Sequence, residues 1–150
     1  MRKALLLVAL LVALPAVADE NPFDNWLASI EYGPYVRDEA GQWYLAMNVE
    51  IQYILPTAWY VSNVWSDITW AFGPANEDIE YRGDVRGWSP PPTYGGSITY
   101  LLPVNDDDWG HWIRAYTYMT LTKEENGSCT SQTSVVAFAA FHLPATPPPG

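Results

Sequence analysis

Apolar and polar residues alternate with a period of two through the middle of the chain. The apolar series in residues 43–54 occupies every second position: Trp43, Leu45, Met47, Val49, Ile51 and Tyr53. The positions between them are mixed and include Asn48, Glu50 and Gln52. Successive side chains of a strand point to opposite faces of its sheet. Residues 43–54 are therefore predicted to form a strand with one buried face.

Shorter alternations, or runs of aromatic and β-branched residues, predict further strands within residues 26–32, 59–64, 68–72, 79–83, 98–102, 111–122 and 134–143. Gly-Pro pairs at 33–34 and 73–74 indicate turns, and the Pro-rich segment 88–96 indicates a stiff loop. No segment suits a long helix. Seven or eight strands at this spacing predict an all-β fold, an antiparallel two-sheet sandwich of the immunoglobulin-like type. A closed barrel is the alternative.

The segment from Asp108 to Trp112 resembles the Asp-x-Gly-x-Tyr corner that opens a late strand in immunoglobulin-like domains. It departs from that pattern because Trp112 occupies the tyrosine position and Arg114 the position of the second cysteine. The resemblance covers five residues and agrees with the predicted architecture.

The N-terminus has the layout of a secretory signal peptide. Arg2 and Lys3 precede an apolar run at residues 4–14, and Ala16 and Ala18 supply small residues for cleavage. We expect residues 1–18 to be removed, residues 19–143 to form one domain and residues 144–150 to be a Pro-rich tail. The mature protein is expected to be secreted, periplasmic or at the cell surface. The apolar run is too short to span a bilayer, so no membrane span is predicted in the mature chain.

The net charge of the chain limits the classes of partner that it can bind. Seven basic residues stand against 17 acidic ones, a net charge of −10 at pH 7, and two of the basic residues lie in the leader. Such a chain is repelled by phosphate backbones, so we expect no nucleic-acid partner. The acidity is compatible with an extracellular protein and with cation binding.

The pair Asn126-Gly127 favours a tight two-residue hairpin. An unbroken register from this turn predicts four cross-strand pairs: Tyr118–Val135, Tyr116–Ala137, Trp112–Phe141 and His111–His142. The last pair would bring both histidines of the chain together near an acidic run. His111 and His142 with Asp106 and Asp108 are thus candidate ligands for a transition metal, and the acidic run alone for Ca²⁺. Our main expectation is that there is no cofactor.

The chain is rich in aromatic residues, with eight Trp, ten Tyr and four Phe. Trp43, Trp59 and Trp70 lie on apolar strand faces and are expected in the core. Trp65, Trp88, Trp109 and Trp112 lie at or near predicted strand ends or loops and could form a platform for a sugar ring. Candidate ligand-binding residues at strand ends, in loops or on the late strand are Trp88, Trp109, Trp112, Tyr116 and Tyr118. The last three share one face of that strand with Arg114. That face is either the packing surface of the second sheet or an exposed strip for a partner.

No pattern of a catalytic nucleophile or a phosphate-binding loop occurs. Cys129 lies among Ser, Thr and Gly and is expected to be a small, partly buried thiol, with an intermolecular disulfide or a reactive thiol as the alternatives. We therefore expect no enzyme but a module for protein interaction or self-association. A carbohydrate-binding module using exposed Trp and Tyr, and a metal-dependent enzyme, are the alternatives. Coplanar exposed rings beside polar side chains would favour carbohydrate, and a continuous apolar strip or an unpaired long edge strand would favour a protein.

Overall fold

The computed structural model describes residues 21–149, so the predicted signal peptide lies outside the described residues. These residues form seven strands and one short 3-10 helix. The strands are β1 (Trp26–Arg37), β2 (Trp43–Tyr53), β3 (Trp59–Ala71), β4 (Glu80–Gly87), β5 (Gly95–Val104), β6 (Trp112–Glu125) and β7 (Ser128–His142). The helix, Asp106–Asp108, connects β5 to β6.

Two antiparallel sheets make up the fold. One has the strand order β1-β2-β5 and the other β4-β3-β6-β7. The chain crosses between the sheets after β2, after β4 and after β5, as in the Greek-key connections of immunoglobulin-like domains. The predicted all-β sandwich and its strand number are confirmed.

The strand predicted from the clearest alternation is β2. Leu45, Met47, Val49 and Ile51 are almost fully buried between the sheets, whereas Glu50 on the opposite face is exposed. β2 is the central strand of its sheet, pairing with β1 on one side and β5 on the other. A half-buried central strand needs this strict alternation, which is why its pattern is the clearest in the chain.

Several predicted strand ends are wrong. β4 continues past Gly83 to Gly87, and β7 begins at Ser128 and not at residue 134. β1 continues past Gly33 and Pro34 through an irregularity in its pairing, and β5 includes Pro103. Both are edge strands, where proline costs no ladder hydrogen bond on the free side. The segments 59–64 and 68–72 form one strand, β3, because Trp65 and Asp67 continue the alternation on its outer face.

The core lies between the sheets. Trp70 of β3 is fully buried and the guanidinium of Arg82 lies 3.5 Å from the centroid of its ring. Arg82 also donates to the carbonyl of Pro103 and forms an ion pair with buried Asp108. The pair ties the β4 edge to the segment that begins β6. Asp108, the first residue of the corner motif, thus serves as a hydrogen-bond acceptor inside the fold.

The hairpin between β6 and β7 turns at Asn126 and Gly127, which both have positive φ. This is the backbone that a two-residue turn of this type requires, so the predicted hairpin is confirmed. Tyr118 lies opposite Val135, also as predicted. The register then shifts by one residue between Tyr118 and Thr117, where Val136 of β7 is the extra residue of a bulge and is buried.

The bulge makes the remaining predicted pairs wrong. Beyond it, Tyr116 lies opposite Phe138 and Trp112 opposite His142. The predicted pairs Tyr116–Ala137, Trp112–Phe141 and His111–His142 therefore do not form. A two-residue period cannot reveal a bulge, since the extra residue changes only the face on which the following side chains lie.

The end of the chain lies against the start of β6. Gly110 N–H donates to the carbonyl of Pro144 at 2.8 Å, and residues 144–149 have no regular secondary structure. Within residues 21–149 there is no helix with the length and apolar character that a bilayer crossing requires.

Candidate functional site

The outer surface of the four-stranded sheet carries a row of aromatic rings. Trp65 of β3 stacks on Tyr118 of β6, with ring centroids 5.2 Å and planes 11° apart. Tyr116 lies 6.4 Å from Tyr118 and 4.7 Å from Phe138 of β7. The row therefore crosses three strands without interruption. These four residues, with Asp67, are called the aromatic face below.

The register of the sheet brings these side chains together. Trp65 pairs with Tyr118, and Asp67 pairs with Tyr116, which pairs in turn with Phe138. Cross-strand neighbours on one face lie within contact distance, so aromatic residues at these positions pack on one another. Phe138 remains 47% exposed and Val135 beside Tyr118 41% exposed, which makes the surface accessible to a partner.

Asp67 lies among the rings. No basic side chain of residues 21–149 forms an ion pair with its carboxylate. Partial burial, the negative charge of Asp67 and the neighbouring Tyr116 together raise the pKa of Tyr118 above its ordinary value. The aromatic face therefore combines apolar rings with an uncompensated negative charge.

A loop closes one end of the aromatic face. Arg114 of β6 lies on the same side of the sheet but is only 1% exposed, because it donates to the carbonyl of Ala75 and pairs with Glu80 at 3.1 Å. The loop also supplies Asn76, whose side-chain oxygen accepts a hydrogen bond from the Tyr116 hydroxyl. Arg114 thus fixes the loop between β3 and β4, and the loop fixes Tyr116.

The structure brings together two of the five predicted ligand-binding residues, Tyr116 and Tyr118. Trp112 lies on the same side of β6 but beyond Arg114, and it stacks on His142 with centroids 4.6 Å apart. Trp88 and Trp109 do not join them, because both pack against the core. Of the two roles considered for this side of β6, the structure supports the exposed strip.

Trp65 was expected from the sequence only as one of four Trp residues near strand ends or loops, and Phe138 is a member of the aromatic face that the sequence did not identify. The alternation of β3 indicates the position of Trp65. Val64, Ser66 and Ile68 are buried on one face, so Trp65 between them lies on the other face. No local signal was available for Phe138, since the bulge at Val136 decides that it faces Tyr116.

The predicted metal ligands are engaged elsewhere. The His111 ring packs on Phe72 and Tyr81, at 5.1 and 5.0 Å between centroids, while the His142 ring stacks on Trp112. Within the part of the chain that the structure describes, no three His, Cys, Asp or Glu side chains are grouped to hold a metal ion.

The two candidate carboxylates, Asp106 and Asp108, differ in burial and in hydrogen bonding. Asp108 is buried and accepts hydrogen bonds from the Tyr81 hydroxyl at 3.0 Å and the Asn105 backbone at 2.7 Å, in addition to its ion pair with Arg82. Asp106 is exposed at the start of the 3-10 helix. Asp106, Asp108 and the two histidines therefore do not form the predicted metal site.

Cys129 is exposed in β7, and not partly buried as expected. Its sulfur lies 3.5 Å from a carboxylate oxygen of Glu124, and this hydrogen bond raises the pKa of the thiol. A raised pKa keeps the thiol protonated and lowers its reactivity as a nucleophile.

A cleft of about 500 Å³ opens at one end of the sandwich. The loop after β2, the start of β3 and the loop before β5 line it, and its aromatic lining residues are Tyr53, Trp59, Tyr60 and Tyr94. None of the lining residues is charged. Both its size and its aromatic lining are typical of small-ligand sites.

Comparison of the chain with protein-family models, curated proteins and solved structures finds no match.

Proposed function

We propose that this protein is an exported, non-catalytic binding module whose aromatic face docks a positively charged segment of a protein partner. The observation that carries the proposal is the row of rings from Trp65 to Phe138 with Asp67 among them. An exposed aromatic surface of this kind is typical of protein interaction sites. The leader pattern of the sequence supports export.

The charge of the chain supports a cationic partner. Within residues 21–149 every basic side chain except Arg37 forms an ion pair with an acidic residue of the chain itself. Since acidic residues outnumber basic ones by 17 to seven, many carboxylates remain uncompensated. Such a surface attracts positive partners over distance and repels acidic ones.

The chemistry of the aromatic face supports arginine in particular. A guanidinium group stacks on Trp and Tyr rings and forms charge-assisted hydrogen bonds with carboxylates. One such cation–π contact contributes about 0.5–2 kcal/mol, so several are needed for specific binding. The length of the row, across three strands, provides for more than one contact.

Calorimetric titration of the mature protein tests this proposal. The probes are a short synthetic peptide in which Arg alternates with Thr, and the same peptide with Glu in place of Arg. We expect binding of the Arg peptide only. Tyr118→Ser and Asp67→Asn should each weaken it about fivefold, which corresponds to about 1 kcal/mol.

Tyr94→Ser is the matched control, because it removes an exposed tyrosine outside the aromatic face. It should leave the affinity unchanged. Equal binding of the Glu peptide, or an effect of Tyr94→Ser as large as that of Tyr118→Ser, would contradict the proposal.

Carbohydrate binding is a second candidate, and the end cleft is the observation that favours it. Its lining is uncharged and contains Tyr60 and Tyr94, which are both exposed. The aromatic face suits a sugar less well, because the rings of Trp65 and Tyr118 are stacked with an offset and do not lie side by side in one plane. Titration with neutral oligosaccharides, with Tyr94→Ser as the loss-of-binding variant and Tyr118→Ser as the control, tests this candidate separately.

A further inference from the structure

The seventh strand is an edge strand without the usual protection. β7 is 15 residues long and pairs only with β6. Its sequence contains no charged residue, no proline and no glycine. An edge strand presents unpaired backbone N–H and C=O groups, and proteins usually block such edges with charges, prolines or short strands.

The other three edge strands of the described residues all carry such features. β1 contains Glu31, Pro34 and a register irregularity, and β5 contains Pro103 and begins with two glycines. β4 has only eight residues, four of them charged. β7 lacks these features, so its edge is the one of the four described edges that is not protected against pairing with another strand.

One half of this edge is covered within the chain. The Tyr32 hydroxyl of β1 donates to the carbonyl of Ala139 at 2.9 Å, and its ring packs on Phe141. The other half, residues 128–135, lies beyond this contact. Residues 128–133 are exposed on both faces of the strand.

We propose that residues 129–135 of β7 pair with the same residues of a second copy of this chain, with Gln132 of one copy opposite Gln132 of the other. The two segments run antiparallel about a two-fold axis near Gln132 and join the four-stranded sheets of two copies into one sheet of eight strands. A two-fold contact uses the same surface on both copies, so one segment suffices to form it. Seven residues extend over about 24 Å and provide a pairing of ordinary strand length.

Charge argues for a second copy as the occupant. Copies of a chain with a net charge of −10 repel each other across most of their surfaces. Residues 129–135 carry no charge, so this segment allows two copies to approach without opposing carboxylates. The Ser, Thr and Gln side chains of the segment also form hydrogen bonds with one another across a strand pair.

A charge-exchange experiment tests this inference. Mature protein carrying Cys129→Ser, which removes a disulfide as a source of dimers, is studied by size-exclusion chromatography with light scattering over a wide concentration range. We expect twice the chain mass. Gln132→Glu and Gln132→Lys should each give the single-chain mass, because the two-fold axis brings like charges together.

An equimolar mixture of the Gln132→Glu and Gln132→Lys proteins should restore the double mass. Ser29→Glu and Ser29→Lys place the same charges on exposed positions of β1 and should leave the dimer intact. A single-chain mass of the parent protein at all concentrations would overturn the inference, as would Gln132 variants that remain dimeric. Far-UV circular dichroism verifies that each variant is folded.

This inference does not depend on the aromatic face. Tyr118→Ser should leave the mass of the dimer unchanged, and Gln132→Glu should leave the affinity for the Arg peptide unchanged. The two proposals can therefore fail separately.

Discussion

The indole of Trp65 stacks on the phenol ring of Tyr118 on the outside of the sandwich, with centroids 5.2 Å apart. The two residues are cross-strand neighbours of β3 and β6. Nearly parallel rings whose centroids are this far apart are offset from each other, a geometry favourable for aromatic pairs. The stack therefore holds two members of the aromatic face in fixed positions before any partner arrives.

A double-mutant cycle measures this stack. Trp65→Ala and Tyr118→Ala, singly and together, should show a coupling of about 1 kcal/mol in the free energy of unfolding. Urea denaturation gives the four values. Trp65→Ala combined with Tyr94→Ala is the control and should be additive, because these side chains do not touch. A coupling near zero for the first pair would show that the rings are not held together in solution.

Arg114 should contribute far more to stability than its ion-pair partner. Arg114→Met leaves the Ala75 carbonyl without its donor in a closed site, and we expect a loss of about 2–4 kcal/mol. Glu80 is 57% exposed, so Glu80→Gln should cost less than about 1 kcal/mol. Chemical denaturation of both variants checks this contrast. Equal losses would mean that the ion pair, and not the buried hydrogen bond, fixes the loop.

Among the three consecutive aspartates 106–108, Asp108 should contribute most to the stability of the fold. Asp108→Asn removes the charge that Arg82 and the Tyr81 hydroxyl face inside the fold, and we expect a loss of about 3 kcal/mol or more. Asp107→Asn is a matched control at an exposed neighbour and should change stability by less than about 0.5 kcal/mol. Thermal unfolding monitored by circular dichroism compares them. Similar midpoints for both variants would contradict the role of Asp108.

Tyr53 should make the fold sensitive to alkali. Its hydroxyl donates to the carbonyl of Pro92, and burial raises its pKa from 10.0 to about 12. In the unfolded chain the hydroxyl ionises near its ordinary pKa, so rising pH favours unfolding. The stabilising contribution is complete below about pH 10 and is lost as the pH approaches 12.

The urea midpoint as a function of pH tests this sign. The midpoint of the natural protein should fall more steeply between these pH values than that of Tyr53→Phe, which cannot ionise at this position. Parallel curves would show that Tyr53 is already ionisable in the folded chain.

The sequence predicted the parts of the fold that local patterns determine. The alternation of β2, the Asn126-Gly127 turn and the number of strands were all predicted correctly. Each depends on side-chain period or turn geometry over a few residues. The continuation of β1 and β5 through proline was not predicted, because whether a strand lies at an edge depends on the whole sheet.

The candidate site was predicted only in part for the same reason. Tyr116 and Tyr118 were identified from one strand, but their partners Trp65 and Phe138 come from two others. The bulge at Val136 decided which β7 side chains joined them and separated the two histidines. The burial of Arg114 depended on a loop distant in sequence, and nothing in its own strand indicated it.

Mapping the bound peptide by NMR tests the central proposal most directly. Amide and aromatic side-chain resonances of the isotope-labelled mature protein are followed during titration with the alternating Arg and Thr peptide. We predict that the largest shifts occur at Trp65, Asp67 and Tyr118, and that resonances of the end cleft, such as those of Tyr94, do not move. Shifts confined to the end cleft, or no shifts at saturating peptide, would contradict the assignment of the aromatic face as the docking surface.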